Sequence, residues 1–146
     1  GQTGADMAAL DFALANDIPC GGWCPAKRIN ENGIIPGHYP LQEVKSENYN
    51  LRTQLNVRDS DGTVIFSNSL FMEEGTQLTL DICINAGKPF LLIYTDKWNI
   101  SIASDSIRTF LRKHKINILN IGGNRESNNP GIYTYVIRVL QLAFQD

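Results

Sequence analysis

The sequence predicts an α/β sandwich built around a mostly parallel sheet, and three observations carry that reading. Apolar, β-branched runs at residues 63–67, 90–94 and 117–121 have the length of buried strands. Segments of helical length lie between and after them, and strands that alternate with helices pack as a parallel sheet covered on its faces. The chain has 146 residues, 42% hydrophobic and 19% charged, which suits one domain, residues 1–146, with a core of its own.

The elements follow in order. Gly1-Gln2-Thr3-Gly4-Ala5-Asp6 reads as a glycine loop opening a helix whose apolar residues are Ala9, Leu10, Ala13 and Leu14. Asn16-Asp17 and Pro19 stop it. Such a loop ordinarily follows a strand, so a first, central strand is expected upstream of Gly1. Pro25, Pro36 and Pro40, with Gly21, Gly22, Gly33 and Gly37, make residues 20–42 mostly loop, of the length that binding or lid elements have. A polar helix is expected from about Glu47 to Arg58, and Asp59-Ser60-Asp61-Gly62 turns into the strand at 63–67. Residues 76–85 are ambiguous. Leu78, Leu80, Ile82 and Ile84 alternate as in a strand, while Gly75 and Gly87-Lys88-Pro89 would also bracket a helix. A helix over 101–113 puts Ile107, Phe110 and Leu111 on one face. The last helix, from about Pro130, carries Ile132, Val136, Val139, Leu140 and Ala143 as its stripe.

Composition excludes several classes. A net charge of -2 without a basic block argues against broad nucleic-acid binding, which needs clustered Lys and Arg. No apolar run approaches the ~20 residues of a membrane span and no signal-peptide pattern opens the chain, so a cytoplasmic protein is expected. Three cysteines (Cys20, Cys24, Cys83) make a poor disulfide framework. His38 and His114 add no metal-ligand spacing, so no metal site is expected. Asn99-Ile100-Ser101 is then a chance glycosylation match.

Ligands of open α/β sheets bind outside the carboxyl ends of the strands, and polar clusters follow each expected strand there. Gly1, Gln2, Thr3, Gly4 and Asp6 form a loop at a helix start that could meet an anion or simply make a tight turn. In Gly122-Gly123-Asn124-Arg125-Glu126-Ser127, Arg125 offers a fork for phosphate or carboxylate; a surface loop with Ser127 capping the last helix is the alternative. Arg52 and Asn56 share a helix face near Asp59 and Asp61, as ligand contacts or solvated surface. Trp23 could stack on a heteroaromatic ring or plug the core edge. No nucleophile–base pair or triad is present.

Taken in order, Gly1-Gln2-Thr3-Gly4-Ala5-Asp6, Gly22-Trp23-Cys24-Pro25, Arg52-Thr53, Asn56-Val57-Arg58-Asp59-Ser60-Asp61-Gly62-Thr63, Gly75-Thr76, Arg125-Glu126-Ser127 and Pro130-Gly131-Ile132-Tyr133 resemble the molybdenum carrier proteins. The likeness runs through nearly the whole chain. That family lies in a Rossmann-like superfamily with the LOG-type phosphoribohydrolases and the DNA-processing A proteins. The resemblance implies a three-layer sandwich with helices on both faces of the sheet and makes residues 76–85 a helix. One departure is Glu73-Glu74 before Gly75-Thr76, where small residues are usual in the family.

The resemblance implies a small-molecule partner, the molybdenum cofactor or a related pterin nucleotide, carried without chemistry. Its site residues would be Gly1, Gln2, Thr3, Gly4, Asp6, Trp23, Arg52, Asn56, Asp59, Ser60, Asp61, Gly75, Thr76, Arg125, Glu126 and Ser127. Two further readings are a nucleoside monophosphate phosphoribohydrolase with Glu126 or Asp59 as acid/base, and a nucleotide-sensing module. Neither nucleic acid nor membrane is an expected partner. Oligomeric state is open, a closed homo-oligomer being the commonest arrangement.

Overall fold

The computed structural model describes residues 1–46, 48 and 50–145, and strand β5 (Gly62–Ser67) is the centre of its main sheet. All six residues of β5 are buried, as expected of a strand covered on both faces. It pairs in parallel with β6 (Phe90–Tyr94) on one side and β7 (Leu119–Gly123) on the other, giving the order β6-β5-β7. The edge of β7 away from β5 has no strand partner among the described residues.

Helices cover both faces. Helix α3 (Glu74–Ala86) links β5 to β6, α4 (Ile100–Lys113) links β6 to β7, and α5 (Ile132–Ala143) follows β7. On one face, Val64 and Phe66 join Ala5, Ala8 and Phe12 of α1 (Ala5–Ala15) with Ile107 of α4 and Val136 of α5 in the main core. On the other, α3 packs against β5 and β7, with Cys83 hydrogen-bonded to Thr63, and α2 (Leu51–Arg58) packs against α3. Burial pushes the Cys83 thiol up, although the Thr63 bond opposes it.

The last helix buries its whole expected stripe, and α4 buries Ile107 and Phe110. Helix α1 differs from the expected stripe, because Leu14 is 38% exposed. Ala5, Ala8 and Phe12 face the main core while Leu10 joins a second cluster with Cys24, Ile35 and Tyr39. A helix buried on two sides has no single stripe to read.

Residues 76–85 are helical. Thr76, Thr79 and Cys83 are buried at three- and four-residue spacing, and the alternating Ile84 is exposed. Gly87, at φ 65°, ends the helix in the left-handed conformation that glycine adopts most cheaply. Strand β7 starts two residues later than expected, since the N–H groups of Asn117 and Ile118 donate to the Asp61 carboxylate instead of to a ladder. Gly122 and Gly123 complete it opposite Ile65 and Phe66. Helix α2 begins at Leu51; of the residues expected before it, 47 and 49 lie outside the described residues.

The long segment 20–42 contains small strands. β1 (Trp23–Cys24) pairs in parallel with β4 (Gln42–Glu43), and β2 (Ile29–Asn30) forms an antiparallel hairpin with β3 (Gly33–Ile34). Arg28 ties the segment together by donating to the carbonyls of Leu41 (2.9 Å), Pro36 (2.9 Å) and Tyr39 (3.2 Å). The Tyr39 hydroxyl donates to Asp11 on α1 (2.6 Å), and the Tyr133 hydroxyl of α5 donates to the other oxygen of that carboxylate. Burial and the Asp11 carboxylate together push the Tyr133 hydroxyl up to about 12.

A side chain at Gly123 would put its Cβ 2.2 Å from the Phe66 carbonyl oxygen and 3.0 Å from the Ala5 Cβ. Gly123→Ala should therefore cost about 1–3 kcal/mol or more through forced separation of β5, β7 and α1, read from the midpoint of denaturant unfolding.

Candidate ligand-binding site

The loops after β5 and β7 meet the loop before α1 at the carboxyl edge of the sheet, and the buried Asn124 joins them. Its backbone N–H donates to the Phe66 carbonyl at 3.0 Å, and its own carbonyl accepts from Ala5 N–H at 3.5 Å. Its side-chain oxygen accepts from Thr76 Oγ1 (2.9 Å) and Glu73 N–H (3.2 Å). Its amide donates to the Phe71 carbonyl (2.9 Å), to Asn129 Oδ1 (3.3 Å) and to Ser67 Oγ (3.4 Å). A fully buried amide is tolerated when its hydrogen-bonding capacity is met in this way. Gly4, at φ 79°, lets the first loop approach: a Cβ there would lie 2.5 Å from the Asn124 carbonyl and 2.8 Å from the Glu126 nitrogen.

Beside this junction a polar cleft runs along β7. Gln2 lines it from the loop before α1, Asp6 from α1, Arg52 and Asn56 from α2, Gly75 from α3, and Glu73 and Arg125 from the loops. The structure thus brings together Gln2, Asp6, Arg52, Asn56, Gly75 and Arg125 of the expected site residues. Thr53, Glu73, Thr79 and Asn120 also line the cleft and were not anticipated as contacts.

Arg125 Nε lies 3.3 Å from Glu73 Oε2, an ion pair, yet it is buried and makes no hydrogen bond. Glu73 instead accepts from Arg125 N–H (3.0 Å) and Asn128 Nδ2 (2.6 Å). The departure at Glu73 is thereby neutralised by Arg125. The N–H of Gln2 donates to Asp6 (3.3 Å) and that of Thr3 to the Gln2 side-chain oxygen (3.0 Å), so an anion at this loop would replace side-chain acceptors already present.

Other expected residues serve elsewhere. Both Glu126 oxygens accept from the start of α5, at Gly131 N–H (2.6 Å) and Tyr133 N–H (3.0 Å), so Glu126, and not Ser127, caps that helix. The Ser127 hydroxyl and N–H donate to Glu31. The Thr76 hydroxyl is spent on Asn124. Trp23 is fastened to α2: its N–H donates to Asn56 Oδ1 (2.8 Å), its carbonyl accepts from Asn56 Nδ2 (3.2 Å), and its indole N–H donates to Asp59 (2.9 Å).

Asp59, Ser60 and Asp61 precede β5, so they lie at the amino end of that strand and not with the loops at its carboxyl end. Ser60 Oγ donates to the Val57 carbonyl, and Asp61 accepts from Ile118 and Asn117 N–H at 2.8 and 2.9 Å. The Arg58 guanidinium and the Trp23 indole hold the Asp59 carboxyl below its usual value. Asn99 caps α4 by accepting from Ile102 N–H.

Among the described residues no cluster of three His, Cys, Asp or Glu side chains is placed to hold a metal ion, and no helix is long and apolar enough to cross a membrane. Besides those cleft residues, sequence reasoning passed over Asn124 and Glu31. A polar side chain directly after the Gly122-Gly123 approach was the available signal for Asn124; Glu31 had none.

Parallel strands with helices on both faces and glycine loops at their carboxyl ends define a Rossmann-like α/β protein. Residues 1–144 match the circularly permutated YpsA SLOG family, and the chain belongs to it. It is similar to the crystal structure of a "putative molybdenum carrier protein" from Syntrophus aciditrophicus SB. The two are 41% identical with a TM-score of 0.94, over 98% of this chain and 90% of that one. No curated protein matches the chain closely.

Asn124→Ala should destabilise the protein by roughly 2–4 kcal/mol, because it strands the Phe71 carbonyl, the Glu73 N–H and the Thr76 hydroxyl; denaturant unfolding measures it. Backbone N–H groups of Ile118 and Asn117 hold the Asp61 carboxyl below its ordinary 3.8. A depressed carboxyl stabilises the fold above its unfolded value and ceases to as pH falls through the folded one. The melting-temperature gap between wild type and Asp61→Asn should therefore be widest near neutral pH and shrink as pH falls below the ordinary 3.8.

Proposed function

We propose that the protein binds the molybdenum cofactor, or a related pterin nucleotide, and carries it without chemical change. The observation that carries this reading is Arg125 beside a polar cleft: its buried Nε–H is ion-paired with Glu73 at 3.3 Å but makes no hydrogen bond. A guanidinium donor in that state is suited to a phosphate oxygen, with which Arg makes short, charge-assisted bonds. Asp6 and Asn120 add an acceptor and an amide to the same cleft, a mixture that suits the donor and acceptor edge of a pterin. The 41%-identical protein named as a molybdenum carrier supports the ligand class.

A carrier reading is further supported by the two carboxylates that hydrolysis would need. Both oxygens of Glu126 are engaged by α5, and Asp59 sits before β5, held to Arg58 and Trp23. Ligand identity is tested by native mass spectrometry of protein purified from a host that makes the cofactor, where a bound pterin or pterin nucleotide is expected. Arg125→Ala should weaken the captured ligand by about 1.5–3 kcal/mol, the scale of a lost charge-assisted bond. An unchanged affinity removes Arg125 from the site, and release of free base from nucleoside monophosphates would establish the hydrolase instead.

A further inference from the structure

The hairpin formed by β2 and β3 ends in Glu31-Asn32, and the Glu31 carboxylate rests on the junction of the two glycine loops. One oxygen accepts from Thr3 Oγ1 and from Ser127 N–H (3.4 Å), and the other accepts from Ser127 Oγ (2.5 Å). Partial burial pushes this carboxyl up, but the bonds from Ser127 and Thr3 and the Arg125 charge outweigh it and leave it below its usual value. The carboxylate is thus bound as an anion, by groups that flank Arg125 on its own loop and the Gln2-Thr3 turn opposite.

The rest of the tip is held lightly. Glu31 N–H donates to Gln2 Oε1 (3.0 Å) and Asn30 Nδ2 to the Gly1 carbonyl (3.0 Å). Its two large apolar side chains face outward, Ile29 at 48% and Ile34 at 78% exposure. Its root is firm, because Ile35 is buried and Arg28 is bonded to three carbonyls. A tip without buried apolar contacts on a fixed root opens at low free energy.

We propose that the β2–β3 hairpin is a latch whose Glu31 carboxylate occupies the Thr3 and Ser127 donors next to the Arg125 loop, so that an anionic ligand group enters by displacing it. The proposal rests on the reading that the Arg125 loop receives a ligand anion. It makes the latch a competitor: the closed form lowers apparent affinity in proportion to its population.

The test titrates inorganic phosphate into wild type, Glu31→Ala and Glu31→Gln, following backbone amide signals by NMR. In wild type, phosphate should shift the Ser127 amide and speed hydrogen exchange over residues 29–34. Glu31→Ala should bind phosphate more tightly, by roughly tenfold for a latch closed about nine-tenths of the time. Glu31→Gln, which keeps the shape and loses the charge, should fall between. Phosphate that shifts Ser127 with equal or weaker affinity in Glu31→Ala overturns the latch and leaves the anion site standing. Phosphate that leaves Ser127 and Arg125 unmoved in all three proteins overturns both.

Discussion

The close approach of three loops around one buried amide is the constraint on which the site depends. Asn124 takes donors from Thr76 and Glu73 and gives its own to Phe71, Asn129 and Ser67, so the segments after β5 and β7 are fixed relative to each other. Ala5 N–H and the bare Cα of Gly4 bring the start of α1 against the same backbone. Low dielectric makes such a network strong when complete and costly when broken. The position of Arg125 follows from it, since Arg125 is the next residue and its N–H is received by Glu73.

Around this joint the protein distributes its carboxylates as internal partners. Glu73 faces Arg125, Glu126 caps α5, Glu31 lies on Thr3 and Ser127, and Asp6 receives Gln2. Each satisfies N–H or hydroxyl groups that loops and helix starts leave open. Glu73 and Glu126 stand on the loops themselves and are structural, and Asp6 stands on α1. Glu31 comes from a hairpin with outward-facing apolar side chains, and that difference in anchoring separates a latch from a cap.

Much of the frame was legible in the chain. The strands at 63–67 and 90–94 and the stripe of α5 follow from β-branched runs and 3.6-residue spacing, because each packs against one continuous core. Rules of spacing fail where two environments act at once. Helix α1 is buried on two sides, residues 76–85 alternate by accident, and β7 starts late because Asp61, 56 residues from Asn117, takes its first N–H groups. Of the candidate site, the glycine loops, Arg125, and the Arg52 and Asn56 face were readable, since each is a local signal.

The sequence by itself determined the α/β class, the buried strand at 63–67, the glycines at both loops and, through resemblance, the family; that this strand is the middle one of β6-β5-β7 came from the tertiary structure. Tertiary structure alone decided the work of each carboxylate. Glu126 and Ser127 are neighbours in sequence, yet one serves α5 and the other receives Glu31 from 96 residues away. Asp61 follows the Arg52 and Asn56 helix closely but stands before β5. A side chain's partner is set by which backbone groups packing leaves unsatisfied nearby, and that depends on contacts between segments far apart in the chain.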